Sequence, residues 1–139
     1  MAGHIKVQQA AAPWTPTEDA HLVETFVRYD FPRVGIVEQD GRRFLFGCVD
    51  ELDELSLWAY VEVDETEEQV LAGAADRTVE HFERTASPIS VALAREDSGI
   101  VLSAPFLPVS GASFVDAVVA SIMAVAEDLR EQKRLLAPQ

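Results

Sequence analysis

Hydrophobic positions recur along this chain with two different periods, and the switches between them mark out its elements. Residues 1–14, MAGHIKVQQAAAPW, sustain neither period and close on Pro13 and Trp14, which reads as a flexible N-terminal arm. Thr15, Pro16 and Glu18 then supply a capping hydroxyl, a proline at the first helical position and a carboxylate three residues past the cap. They predict a helix over about 16–29 with Leu22, Phe26, Val23 and Tyr29 as its apolar stripe. Pro32 closes it by biasing Phe31 away from helical geometry.

From Arg33 the period becomes two. Val34 and Ile36 alternate with Gly35 and Val37, Asp40-Gly41 supplies a hairpin turn, and Phe44, Phe46 and Cys48 alternate with Leu45, Gly47 and Val49. The acidic run Asp50-Glu51-Leu52-Asp53-Glu54 reads as a loop. It leads to a third strand with Leu55, Leu57, Ala59, Val61 and Val63 on one face and Ser56, Trp58, Tyr60 and Glu62 on the other. Connections this short leave no room for crossover helices, so the strands are expected to form an antiparallel meander.

Thr66 and Gln69 have the spacing of a second capping box, with Glu67 and Glu68 where the helix dipole favours them. This helix is expected to reach about Ala86 and to bury Val70, Leu71, Ala74, Thr78 and Phe82. Ile89, Val91 and Leu93 alternate up to Glu96-Asp97-Ser98-Gly99, and residues 100–106 return as the second strand of another hairpin, with Pro105 ending its regular pairing. Ser113 and Asp116 open a last helix over about 114–136. Val115, Val118, Ile122, Val125 and Leu129 form its stripe, and Val119, Met123 and Ala126 widen it enough for two contacts. The predicted order is α-β-β-β-α-β-β-α: an α+β fold whose helices pack mainly on one face of an antiparallel sheet, as a single domain over 15–139.

At 139 residues the chain can bury roughly two-thirds of the surface its unfolded form exposes, so it needs no staples. Its 24 Asp and Glu against 11 Lys and Arg give a formal charge of -13. That charge repels nucleic acid and anionic membranes and favours a basic partner, unless it serves only solubility or adaptation to a salt-rich cytoplasm. Cys48 is the only cysteine, which excludes an internal disulfide and fits a reducing compartment. The N-terminus lacks the basic-then-apolar pattern of a secretory signal, and the most apolar run, 115–126, is interrupted by Asp116 and Ser121. A cytoplasmic protein is expected.

Chemistry-bearing residues are scattered. His4, His21 and His81 have no Cys or His at metal-ligand spacing, and Asp50–Glu54 lacks the glycine and the ligand spacing of a calcium loop. Cys48 alternates with Phe44 and Phe46, as a packing residue would, and would act as a nucleophile only with a base such as His81 beside it. No phosphate-cradling glycine motif and no nucleophile elbow is present. No catalytic, metal or cofactor residue is therefore assigned. What remains is apolar surface: Trp58 and Tyr60 project from the strand face opposite Leu57 and Val61, and such rings are enriched where proteins bind proteins. The alternative is that the arm or the first helix covers them.

The element order, the acidity and the long final amphipathic helix resemble the type III secretion chaperone-like fold, including YbjN-like bacterial proteins. Residues 88–130, PISVALAREDSGIVLSAPFLPVSGASFVDAVVASIMAVAEDLR, carry most of the likeness: a hairpin strand, an apolar-proline segment and a small-residue turn opening a helix. The resemblance implies a homodimer that holds an extended segment of a partner protein in an apolar groove, with no catalytic residues. Leu22, Phe26, Trp58 and Tyr60 are the candidate partner contacts, unless the arm fills the groove itself. Val119, Met123 and Ala126 are the candidate dimer contacts. Two other classes stay open: a small-molecule sensor or cryptic enzyme with a pocket between sheet and first helix, formed by Trp58, Tyr60, Cys48 and His81, and a nucleic-acid mimic, which needs carboxylates in two rows at phosphate spacing.

Overall fold

The computed structural model describes residues 13–29 and 31–136. Six strands, β1 (His21–Tyr29), β2 (Phe31–Gln39), β3 (Arg42–Leu52), β4 (Leu55–Glu62), β5 (Ile89–Arg95) and β6 (Gly99–Pro105), lie in chain order in one antiparallel sheet. The tight turns follow from residues that tolerate positive φ. Gln39 pairs with Arg42 across Asp40 (φ 56°) and Gly41 (φ 76°), a two-residue turn whose twist matches that of the strands. Leu52 pairs with Leu55 across Asp53 (φ 54°) and Glu54.

Helices α1 (Glu65–Ala72) and α2 (Thr78–Arg84), joined through a 3-10 turn at Ala75–Arg77, connect β4 to β5, and α3 (Phe114–Leu136) follows β6. Leu71 of α1, Phe82 of α2 and Phe114, Val118, Ile122 and Val125 of α3 share one core with Ile36, Leu45, Ala59, Val61, Ile89, Val91 and Ala104 of the sheet. These strand residues alternate along their strands, so the core lies on one face of the sheet. Ser121 ties the linker to α3: its Oγ donates to Ala117 O at 2.8 Å and accepts the Leu107 N–H at 2.8 Å.

The α+β class, both hairpins and the last helix are as the sequence predicts. The first helix is not: residues 21–29 form strand β1, so the observed order is β-β-β-β-α-α-β-β-α. Five of its nine residues, Val23, Thr25, Phe26, Val27 and Tyr29, are β-branched or aromatic and suit a strand. Register shifts within its pairing to β2 break the two-residue alternation that would have announced it. The second expected helix divides beyond Gly73, whose N–H donates to Val70 O while the next N–H, of Ala74, donates to Leu71 O. Its capping box is Asp64 with Glu67, two residues before the Thr66–Gln69 pair. The acidic run is mostly strand, since β3 continues through Asp50 and Glu51 and only Asp53 and Glu54 turn. The expected arm falls mainly on residues 1–12, which lie outside the described residues.

Candidate functional site: the strap-covered face of the sheet

The second face of the sheet is also apolar. Phe44, Phe46 and Cys48 of β3 stand beside Tyr60 and Trp58 of β4 through the registers Phe46↔Tyr60 and Cys48↔Trp58. Val37 of β2 pairs with Phe44, and Ser90 of β5 pairs with Tyr60. Phe46, Tyr60 and Ala92 form a second buried cluster, flanked by the partly buried Trp14, Val37 and Trp58. Gly35 makes room for it: a Cβ there would come within 3.0 Å of the Phe46 ring and 2.2 Å of Glu24 O.

A strap of irregular chain crosses this face ahead of β1. Trp14 lies flat on Phe44, with centroids 3.7 Å apart and planes at 6°, and meets Tyr60 edge-on at 5.6 Å. Its backbone N–H donates to Ser90 Oγ at 2.8 Å. Three residues on, the Thr17 N–H donates to Gln39 Oε1 at 3.1 Å, and Gln39 Nε2 donates to Thr17 Oγ1 at 2.8 Å. The strap therefore runs from β5 to β2, across the strands, and turns into β1 through the bond from Ala20 N–H to Thr17 O. Gln39 and Ser90 are the buried polar residues of this face, 7% and 1% exposed, and these bonds tie both of them to the strap.

Electrostatics close the rim. The Arg42 guanidinium sits 5.0 Å from the Phe44 centroid and pairs with Glu62 at 2.9 Å, which holds the Glu62 carboxyl below the usual range. Burial pushes the Tyr60 phenol well above its ordinary value, and the nearby Cys48 adds to that. The Cys48 thiol is raised too, first by burial and then by Glu51, which disfavours the thiolate. Trp58 is partly buried, its Nε1–H donating to Ser56 Oγ at 2.8 Å.

The four expected partner contacts do not converge. Tyr60 lies buried beneath Trp14, and Trp58 stands beside Phe46 at 6.0 Å. Leu22, 48% exposed, pairs with Val37 and so belongs to the β1 rim of this face. Phe26 packs against the helix-side core instead, because β1 is a bulged strand and not a helix lying over the sheet. Of the expected dimer contacts, Val119 and Met123 are exposed on the flank of α3 and line an apolar cleft of about 150 Å³ with Leu55, Leu57 and Leu93, while Ala126 is half-buried.

The expected pocket between sheet and first helix has no first helix to form it. Cys48 shares a face with Trp58, while His81 belongs to α2 on the other side, with Nε2 3.7 Å from Glu67. Among the described residues no group of three or more His, Cys, Asp or Glu side chains could hold a metal ion. No helix among them is long and apolar enough to cross a membrane. Sequence reasoning missed Phe44, Gln39, Ser90 and the docking of Trp14. One signal was available: β3 is apolar at both parities, Phe44 and Phe46 as well as Leu45, which marks a strand covered on both faces. Comparison with protein-family models, curated proteins and solved structures found no match.

Proposed function

We propose that this chain is a non-catalytic, cytoplasmic protein-binding module that acts as a homodimer and holds an extended segment of a partner protein on the helix-free face of its sheet. One observation carries the proposal. Among the described residues, a face with Phe44, Phe46, Trp58 and Tyr60 on adjacent strands has only an irregular strap over it, while the three helices serve the opposite face. Aromatic side chains of this kind are the usual energetic anchors of protein interfaces. The likeness to type III secretion chaperone-like proteins points the same way, although β1 stands where that element order has a helix.

Site-specific photo-crosslinking tests the proposal. A benzophenone side chain at position 58 is expected to give a discrete adduct with one other protein in source cells, and the same group at position 80 on α2 is not. Absence of an adduct from position 58, or indistinguishable adducts from both positions, removes the proposal.

A further inference from the structure

The strap shows what kind of segment the face accepts. Two groups recognise it beyond the aromatic stack. Ser90 takes the backbone N–H of the tryptophan, and the two ends of the Gln39 amide take the N–H and hydroxyl of the threonine three residues later. A covering that only shielded rings from water would need neither. Buried polar groups left without partners are costly, so Ser90 and Gln39 select an occupant that satisfies both. Among the described residues the strap has few other ties: no residue of 13–20 is in a strand or helix, and Thr17, Glu18 and Asp19 are exposed. Segments with few backbone bonds and few buried contacts open without global unfolding.

We infer that residues 13–17 are a displaceable, self-supplied occupant, and that the partner segment is an extended Trp-x-x-Thr or Trp-x-x-Ser stretch of another protein with basic flanks. The inference rests on the helix-free face being the partner site. The indole is specified by the flat stack on Phe44 and the edge contact with Tyr60, and the hydroxyl three residues on by Gln39. Basic flanks follow from charge: the strap continues into Glu18 and Asp19 on a chain of net charge -13, so its own occupant is electrostatically poor. A second copy of this chain gains nothing as occupant. Its strap offers identical contacts, while the tethered strap has the higher effective concentration. A foreign segment gains the charge term and can extend onto the partly buried Trp58.

The experiment uses the full chain and its Trp14→Ala variant, with fluorescein-labelled peptide 11–20 as probe and anisotropy as readout. The variant is expected to bind the peptide saturably, and at least about tenfold more tightly than the wild-type chain, whose own strap competes. Lys in place of Glu18 and Asp19 in the peptide tightens binding, and Ala in place of its Trp abolishes it. A folded variant that ignores the peptide overturns the inference, yet leaves the partner site intact if position 58 still crosslinks to a protein. Peptide binding without any such crosslink sinks the partner site instead. Straps exchanged between copies, seen as a wild-type dimer that excess peptide dissociates, overturn the choice of a foreign occupant.

Should Trp14→Ala fail to fold, amide hydrogen exchange on the wild-type chain decides. The Trp14 amide is expected to exchange at least about a hundredfold faster than that of Trp58 on β4, as a locally opening segment does. Equal, slow exchange at both makes the strap part of the global fold and ends the inference.

Discussion

Tyr60 shows how one side chain serves both packing and the site. Its ring is 7% exposed under Trp14, so Tyr60→Ala removes a buried ring rather than a surface contact. A loss of about 3 kcal/mol or more in stability is expected from urea unfolding, as for other buried aromatic truncations. Trp58→Ala is the cleaner probe of partner binding. It is expected to weaken capture of a crosslinked partner by about 2 kcal/mol or more with the fold retained. Burial raises the Tyr60 phenol above its usual pKa of about 10, so the unfolded chain loses that proton first. The contribution is therefore fully present below about pH 10 and is lost as pH rises further towards the folded-state value. In a Tyr29→Phe variant, the phenolate absorbance at 295 nm should appear together with loss of near-UV circular dichroism; an ordinary titration with that signal intact would contradict the burial. Gly35→Ala sets a Cβ against Glu24 O and the Phe46 ring, and is expected to cost roughly 2–3 kcal/mol, measured the same way.

Elements were legible where local chemistry and tertiary context agree. The β2–β3 hairpin follows from Asp40-Gly41 and α3 from Ser113, whose Oγ accepts the Asp116 N–H at 3.1 Å as its sequence spacing predicts. The misread element is the instructive one. Thr15, Pro16 and Glu18 have the spacing of a helix start, but Thr17 is engaged by Gln39, twenty-two residues later, and the chain turns into a strand. A bond of that span leaves no trace in a local pattern, and the bulges of β1 hide its alternation. Trp14 was unreadable for the same reason: its ring and amide partners, Phe44, Tyr60 and Ser90, come from three different strands. Helix α1 offers a direct check on which capping box operates. Asp64→Ala removes the acceptor of the Glu67 N–H and should cost about 1 kcal/mol in thermal or urea unfolding, while Thr66→Ala should change stability much less. Equal effects would mean that the helix begins elsewhere.

At the scale of the whole molecule, a net charge of -13 sets the terms on which two copies can meet. Like charges must be kept out of the contact, because an unpaired buried charge costs several kcal/mol. The acidic pair Asp53 and Glu54 sits exposed at a hairpin tip, where charges act mainly on association rate. Changing both to Ser is accordingly expected to leave partner affinity nearly unchanged at about 150 mM salt, where the Debye length is about 8 Å. Charge is sparse elsewhere: from Gly99 to Ala126 the one ionisable side chain is Asp116. That stretch carries Val119 and Met123, 37% and 53% exposed, beside the cleft lined by Leu55, Leu57 and Leu93, where Asp50 is the one charged residue of the lining. Depletion of charge together with exposed apolar side chains is the compositional mark of an interface core. The proposed homodimer is therefore placed there, on the side of the molecule away from Trp58, so that pairing leaves the partner face free. Met123→Glu puts a carboxylate into that contact without entering the core, since half of the side chain already meets solvent. Light scattering at micromolar concentration is expected to give twice 15.3 kDa for the parent chain and 15.3 kDa for the variant, with unchanged far-UV circular dichroism. A monomeric parent would refute the homodimer, and a dimeric Met123→Glu chain would move the contact to another face.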